Sequence, residues 1–360
     1  MLRRTLSSLT FACLLTLLLP VPVAGQPFGT PAGYLAVHGG DSFVEVPSSP
    51  ALNPGGQITI ELWTALFNVG GCRALIGKGY LTGYAVGFCN GTVRSYLEGA
   101  ASVRDGGVID GAAEFHHIAV TYDGSARRHY IDGELVAVFA ETGSLPGNSQ
   151  ALRILGDVDA PGSSPLDAYI FEVRLWNVAR TQAQIRQTIG QEISTATTGL
   201  VAEWHLRGDT DDAVGGHHGG TPQGTAQLRQ LGVGVCFTNG DFACLHGRFL
   251  ISTAFQVLSP PQADGHRTLV SVGRGHVVPG AGVGSALFWF FGADNWELLV
   301  KHLNACPVNS RFWVYSAATT DQHYALLALD TATGTIKQYL NYAGPPAPAV
   351  TDSSAFATCP

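Results

Sequence analysis

The sequence predicts an all-β protein built from two sandwich units. Three observations carry that prediction. Apolar and polar residues alternate at period two in many short runs, which is the signature of half-buried strands. There are 45 glycines with no G-x-y period, so the chain is rich in turns and is not collagen-like. A single short segment has a helix-capping pattern. The length of 360 residues fits about two domains. Hydrophobic residues make up 46%, ample for a core, and charged residues 13%, against roughly 25% in an average globular chain. The formal charge of −7 excludes a basic footprint for nucleic acid.

The elements follow in order. Arg3 and Arg4, the apolar run Leu9 to Leu19 and the small residues Val23-Ala24-Gly25 predict a signal peptide over residues 1–25. No later run is apolar enough to span a membrane, so the expected mature chain is exported, to the extracellular space or periplasm. Residues 26–225 then read as strands. Phe43 to Val46 is short. Gln57 to Leu66 places Ile58, Ile60 and Leu62 on one face. Phe115 to Tyr122 aligns His116, Ile118, Val120 and Tyr122. His129 to Val136 is a hairpin, because Asp132-Gly133 suits a type I′ turn in which both residues take positive φ. Tyr169 to Trp176 is expected to align Tyr169, Phe171, Val173 and Leu175. Thr181 is placed to cap a helix over Gln182 to Ile189. Residues 226–235 continue a glycine-dense stretch and read as a linker. Residues 26–235 hold 20 acidic and 12 basic residues, whereas 236–360 hold seven and six, which supports two folding units. The second unit, 236–360, is β throughout. Phe288 to Phe291 is expected to be a buried run, and Thr331 to Gly334 to turn between two strands. About seven strands would make an immunoglobulin-like sandwich.

Seven cysteines less Cys13 of the signal peptide leave six, an even number as expected for an oxidising compartment. Six cysteines allow 15 pairings. Proximity in sequence favours Cys72–Cys89, Cys236–Cys244 and Cys306–Cys359. Zinc spacing is missing from these cysteines.

Four segments then carry a resemblance, in family order. They are FVEVPSSPALNPGGQITIELW (43–63), FHHIAVTYDGSARRHYIDGELVA (115–137), AYIFEVRLWNVARTQAQI (168–185) and GLVAEWHLRGDTDDAVGGHHGGT (199–221). Together they resemble the laminin-G-like, concanavalin A-like jelly roll over about residues 30–225. Phe115 replaces the family's Trp, and Phe171 stands where it commonly has Asp. The resemblance implies two antiparallel sheets and a domain that binds carbohydrate or proteins, often with calcium. The second unit, with Cys236 and Cys244-Leu245-His246-Gly247-Arg248-Phe249, resembles a C-terminal module of secreted bacterial proteins, which brings no activity with it.

Calcium needs several oxygen ligands from a loop. Asp41, Asp157 and Asp159 sit in such loops, and Asp209, Asp211 and Asp212 cluster near the closing strand; solvated acidic turns are the plain alternative. Glycan cleavage in a jelly roll wants carboxylates alternating on one strand. Glu61 stands alone among apolar neighbours, and Glu172 is followed by Arg174, which reads as a paired charge on a solvated face. His116 and His117 point to opposite faces of a strand and cannot share one ion. His217-His218 lies in a glycine-rich loop. There is no G-x-S-x-G elbow and no P-loop. Trp63, Trp176 and Trp204 read as packing. Tyr80, Tyr84 and Tyr96, around the Cys72–Cys89 hairpin, are the candidates for a binding rim. The expectation is a secreted, non-catalytic protein whose jelly roll binds a glycan or an extracellular or surface protein, with calcium as the one implied cofactor. The alternatives are a structural or adhesive envelope component without a discrete pocket and, third, a glycan-cleaving enzyme.

Overall fold

Alternating apolar residues pair into strands because the pleat sends successive side chains to opposite faces. The computed structural model describes residues 33–39, 42–79, 82–100, 103–109, 115–156, 166–191, 193–215, 218–230, 236–280 and 282–360. The expected signal peptide, Asp41, Tyr80, Asp157, Asp159 and His217 lie outside the described residues.

The first unit runs β1 (Gly33–Gly39), β2 (Phe43–Val46), β3 (Ile58–Leu66), β4 (Cys72–Lys78), β5 (Tyr84–Cys89), β6 (Thr92–Leu97), β7 (Val103–Val108) and β8 (Phe115–Tyr122). It continues with β9 (Ala126–Ile131), β10 (Glu134–Ala140), β11 (Leu152–Ile154), β12 (Leu166–Trp176), α1 (Gln182–Thr188), β13 (Leu200–Trp204), β14 (Thr221–Gln223) and β15 (Gln227–Gln230). One antiparallel sheet has the order β10-β9-β8-β3-β12-β1-β15, with β13 also on β12. The other is β14-β2-β11-β4-β5-β6-β7. Ile58, Ile60 and Leu62 meet Val86, Phe88, Ile118, Val120 and Trp204 between the two sheets. Because β15 pairs with β1, the first unit reaches Gln230.

The second unit contains β16 (Ala243–Leu245), β17 (Phe249–Leu258), β18 (Leu269–Arg274), β19 (His276–Val277) and β20 (Ser285–Gly292). After these come β21 (Asn295–Ala305), α2 (Cys306–Asn309), β22 (Arg311–Ala318), β23 (His323–Asp330), β24 (Thr335–Asn341) and β25 (Val350–Phe356). They form two five-stranded sheets, β16-β17-β23-β24 with β18 on β17, and β19-β20-β21-β22-β25. Ten strands replace the seven expected. Phe249, Phe288, Phe290, Phe312 and Phe356 fill the space between them.

All three disulfides form as expected: Cys72–Cys89, Cys236–Cys244 and Cys306–Cys359. The type I′ hairpin is present, with Asp132 and Gly133 at φ 51° and 77°. Thr181 caps α1 in a reciprocal capping box with Gln184. Two expected faces are corrected. A β-bulge between Ile170 and Glu172 resets the alternation of β12. Val173 and Leu175 therefore point into the core, while Phe171 points outward. Likewise Phe288 to Phe291 is not uniformly buried, since the strand alternates and Phe291 is exposed.

The outer face of the first sheet is not open to solvent. Trp63, Phe115 and Phe171 there meet Leu327, Leu329 and Ile336 of the second unit. Leu340 joins Ala119, Tyr130, Leu135 and Ile185 in a second contact. The two sandwiches are thus joined by an apolar seam.

A candidate site at the junction of the two sandwiches

The seam leaves a small cleft, open to solvent, of about 40 Å³. From the first unit it is lined by Phe115, His116 and the turn residue Asp132. From the second come Gln256 on β17, Val272 on β18, His323 on β23 and Gln338 on β24. Sheet register explains the grouping. Gln256 stands opposite both Val272 and His323, so all three share one face.

Hydrogen bonds fix part of this site. Asp132 accepts from the backbone N–H of His117 at 2.8 Å, and its other oxygen lies 2.8 Å from His116 Nδ1. Gln256 Nε2 donates to Asp132 Oδ2 across the junction at 3.2 Å. Burial alone would raise the Asp132 carboxyl, but His116 beside it outweighs burial and holds it low. His323 Nδ1 stands 3.7 Å from Glu134, beyond hydrogen-bond reach. Gln338 has no hydrogen-bond partner for either end of its buried amide, and neither ring nitrogen of His323 has one. Such unsatisfied groups are rare in a native interior and each asks for a partner. A hydroxyl, which both donates and accepts, is suited to satisfy an amide and an imidazole together. No lysine or arginine is among the lining residues.

Beside the cleft, under α1, lies a second cluster. Arg180 pairs with Glu61, and His117 Nε2 lies 3.2 Å from the same carboxylate. Arg174 pairs with Glu172 and with Glu203, the latter at 2.9 Å, and Arg207 reaches Glu172 at 3.1 Å. This corrects two expectations. Glu61 is not isolated, and the Glu172–Arg174 face is not solvated, since Glu172 is 4% exposed. The reason is that α1 and its flanking segment cover it: Arg174 donates to the carbonyls of Thr188 and Gln191.

Burial would raise Glu61, yet the His117 hydrogen bond and Arg180 bring it down to about 2. Burial pushes Glu172 up to about 7. Burial would also raise Glu203, but His205 and Arg174 outweigh it and hold it low. Two carboxylates pushed apart in this way are what an acid and nucleophile pair needs. Here, however, Arg174 and Arg207 both pair with Glu172. Glu172, Glu203 and His205 also place ligand atoms within 4.8 Å of one another. The two guanidiniums already neutralise those carboxylates, so this donor set does not fit a calcium ion.

Two of the three tyrosines expected at a binding rim, Tyr84 and Tyr96, are buried. Tyr84 is 3% exposed and donates to the Leu52 carbonyl at 3.0 Å. Tyr96 is 4% exposed and donates to Glu98. Neither offers a ring face to solvent. Trp176 and Trp204 are buried, while Trp63 packs outward against the second unit. Asp212 and His218 pair at 2.8 Å as a structural bridge, and the His218 carbonyl accepts from Trp204. Sequence reasoning missed the cleft because its residues span positions 115 to 338. The one available signal was Asp132, a turn residue that also faces the site.

Residues 38–186 match the model of the concanavalin A-like lectin/glucanases superfamily. No curated protein matches the chain. A Bacteroides ovatus protein assigned as carbohydrate binding is similar at 19% identity, over 54% of this chain and 60% of that one, with TM-score 0.45. The CBM40 of a Ruminococcus gnavus sialidase, bound to α2,3 sialyllactose, is similar at 13% identity, over 44% and 98%, with TM-score 0.35. Trypanosoma rangeli sialidase is similar at 20% identity, over 36% and 22%, with TM-score 0.30. The chain thus spans less than two thirds of the Bacteroides protein and about a fifth of the trypanosomal one. With its two antiparallel sheets and its match over residues 38–186, the first unit is a laminin-G-like, concanavalin A-like jelly roll.

Proposed function

We propose that this is a secreted, non-catalytic carbohydrate-binding protein whose ligand enters the cleft between the sandwiches. The observation that carries the reading is the unpartnered Gln338 amide, buried in a cleft that also presents Asp132, Gln256 and His323. A few convergent polar groups on an otherwise apolar wall are what a small-ligand site requires. Sugar hydroxyls supply the missing partners, and Phe115 supplies an apolar surface. The jelly-roll fold and the carbohydrate-binding relatives support the same class of ligand. The three disulfides support export to an oxidising compartment. Calcium bound by Asp41, Asp157 and Asp159 stays within the proposal, as does an extracellular glycoprotein as the bearer of the glycan.

A glycan array probed with and without calcium tests this, followed by calorimetry on Gln338→Leu. Removing a buried polar group that lacks a partner leaves stability unchanged or raises it. The expected result is a variant as stable as the parent that binds the best array glycan at least tenfold more weakly. Binding unchanged in Gln338→Leu, or no glycan bound in either condition, would sink the reading.

A further inference from the structure

The tryptophans of the second unit are placed unlike its phenylalanines. Phenylalanines fill its core. Its three tryptophans, Trp289, Trp296 and Trp313, all lie outside that core, on the sheet β19-β20-β21-β22-β25. On β20 and β22 the inward positions are Phe288, Phe290, Phe312 and Val314, so Trp289, Trp313 and Tyr315 take the outer face. Trp296 stands opposite Trp289 in the register and is 52% exposed. Tyr315 follows Trp313 with ring centroids 5.9 Å apart, and Leu303, 38% exposed, stands opposite Trp313. Along β21 the span from Trp296 to Leu303 is roughly 24 Å at about 3.4 Å per residue. His276 of β19 lies beside Trp289 on this sheet, with ring centroids 4.3 Å apart.

We propose that this face is a second carbohydrate site, a flat platform for an uncharged polysaccharide. Two observations select that occupant. The indole N–H of Trp296 donates to the Ala293 carbonyl and that of Trp313 to Asn309 Oδ1. With their donors tied back to the chain, these side chains present apolar ring surface, and the C–H faces of sugar rings pack on such surface. The balance of rings and charges also fits. Lys301, opposite Tyr315, and Arg311, the first residue of β22, are the charged side chains at the outward positions of β20, β21 and β22, against the four rings Trp289, Trp296, Trp313 and Tyr315. Ring surface therefore dominates the face, and an uncharged polymer can pack on it without a charged partner. A flat sheet without a groove fits an extended chain of several sugars. This site does not depend on the cleft.

The test is partition of the full mature chain onto insoluble cellulose, chitin and starch granules, with albumin as a non-binding control. Trp289→Ala and Trp313→Ala remove the platform, and Trp313→Phe restores a ring without the indole. The expected result is binding to at least one of the three polymers. Each alanine variant should weaken it at least tenfold and Trp313→Phe much less, with thermal midpoints and soluble-glycan binding unchanged. No partition onto any of the polymers would overturn the proposal, as would alanine variants that bind like the parent. A concentration-dependent dimer that Trp313→Ala dissolves would assign the face to a second copy of this chain instead.

Discussion

At the scale of single residues, the second core buries an imidazole without a hydrogen-bond partner. His302 is fully buried, its ring stacks on Phe249 at 3.8 Å, and both ring nitrogens lack hydrogen bonds. Burial, with His246 beside it, pushes its pKa down to about 3, against a weak opposite pull from Asp330. The folded state therefore refuses a proton that the unfolded chain accepts below about 6.5. Stability must fall as pH drops from 6.5 toward 3, by roughly 3 kcal/mol between pH 6.5 and 4 at about 1.4 kcal/mol for each pH unit. His129, pushed down to about 4 by burial, acts with the same sign. Glu172 acts oppositely to an ordinary carboxylate: raised to about 7, its contribution is full below 4.5 and is lost as pH rises to 7. His302→Phe keeps the stacked ring and removes the titration. Denaturation from pH 7 to pH 4 should show the variant gaining on the parent as pH falls. A gap that stays constant with pH would refute the account.

At the scale of elements, the β9–β10 hairpin is where local turn chemistry and long-range packing meet. Asp132-Gly133 was legible as a type I′ turn because few other pairs tolerate two positive φ values. Its further use was not legible. The Gly133 carbonyl accepts from Gln182 Nε2 and Arg186 Nε, which docks α1 onto the turn. A Cβ at Gly133 would come within 2.9 Å of Arg186 Cγ and of Tyr342 in the second unit. Gly133→Ala therefore combines left-handed strain of about 1 kcal/mol with a displaced interface. Urea denaturation should show a total loss of about 2–3 kcal/mol; a midpoint equal to the parent's would show that the turn bears no such role. The same contrast runs through β12. Its strand character was plain in the sequence, but the bulge at Ile170–Glu172 is set by tertiary pairing with β3, so the outward turn of Phe171 was not. Capping of α1 was readable because Thr181 and Gln184 are three residues apart. The burial of Glu172 and Arg174 was not, because what covers them lies outside their own strand.

At the scale of the whole molecule, the seam makes the two sandwiches thermodynamically dependent on each other. Trp63, Phe171 and Phe115 would be exposed on an isolated jelly roll, and Leu327, Leu329 and Ile336 on an isolated partner. Polar contacts lock the same junction: Glu134 accepts from the Ala343 N–H at 3.1 Å, Arg267 N–H donates to the Leu135 carbonyl at 2.8 Å, and Arg186 lies over the Tyr342 ring. Disulfide pairing within each unit was predictable from proximity, yet none of the three bridges crosses the seam, so beyond the connecting chain it is noncovalent packing that couples the units. Burying large side chains stabilises by about 1.5–3 kcal/mol each, so a seam of this size should merge two unfolding events into one. Ile336→Asp places an unpaired charge at its centre, against Trp63 and Phe171, without touching either sandwich core. Calorimetry should show one transition for the parent and two for Ile336→Asp. Glycan binding at the cleft should be lost, since Gln256 and Gln338 would no longer face Asp132, while the polysaccharide platform on the far sheet should survive. A single unshifted transition in Ile336→Asp would mean that the seam does not couple the units, and glycan binding that persists in a variant with two transitions would place the site within one sandwich.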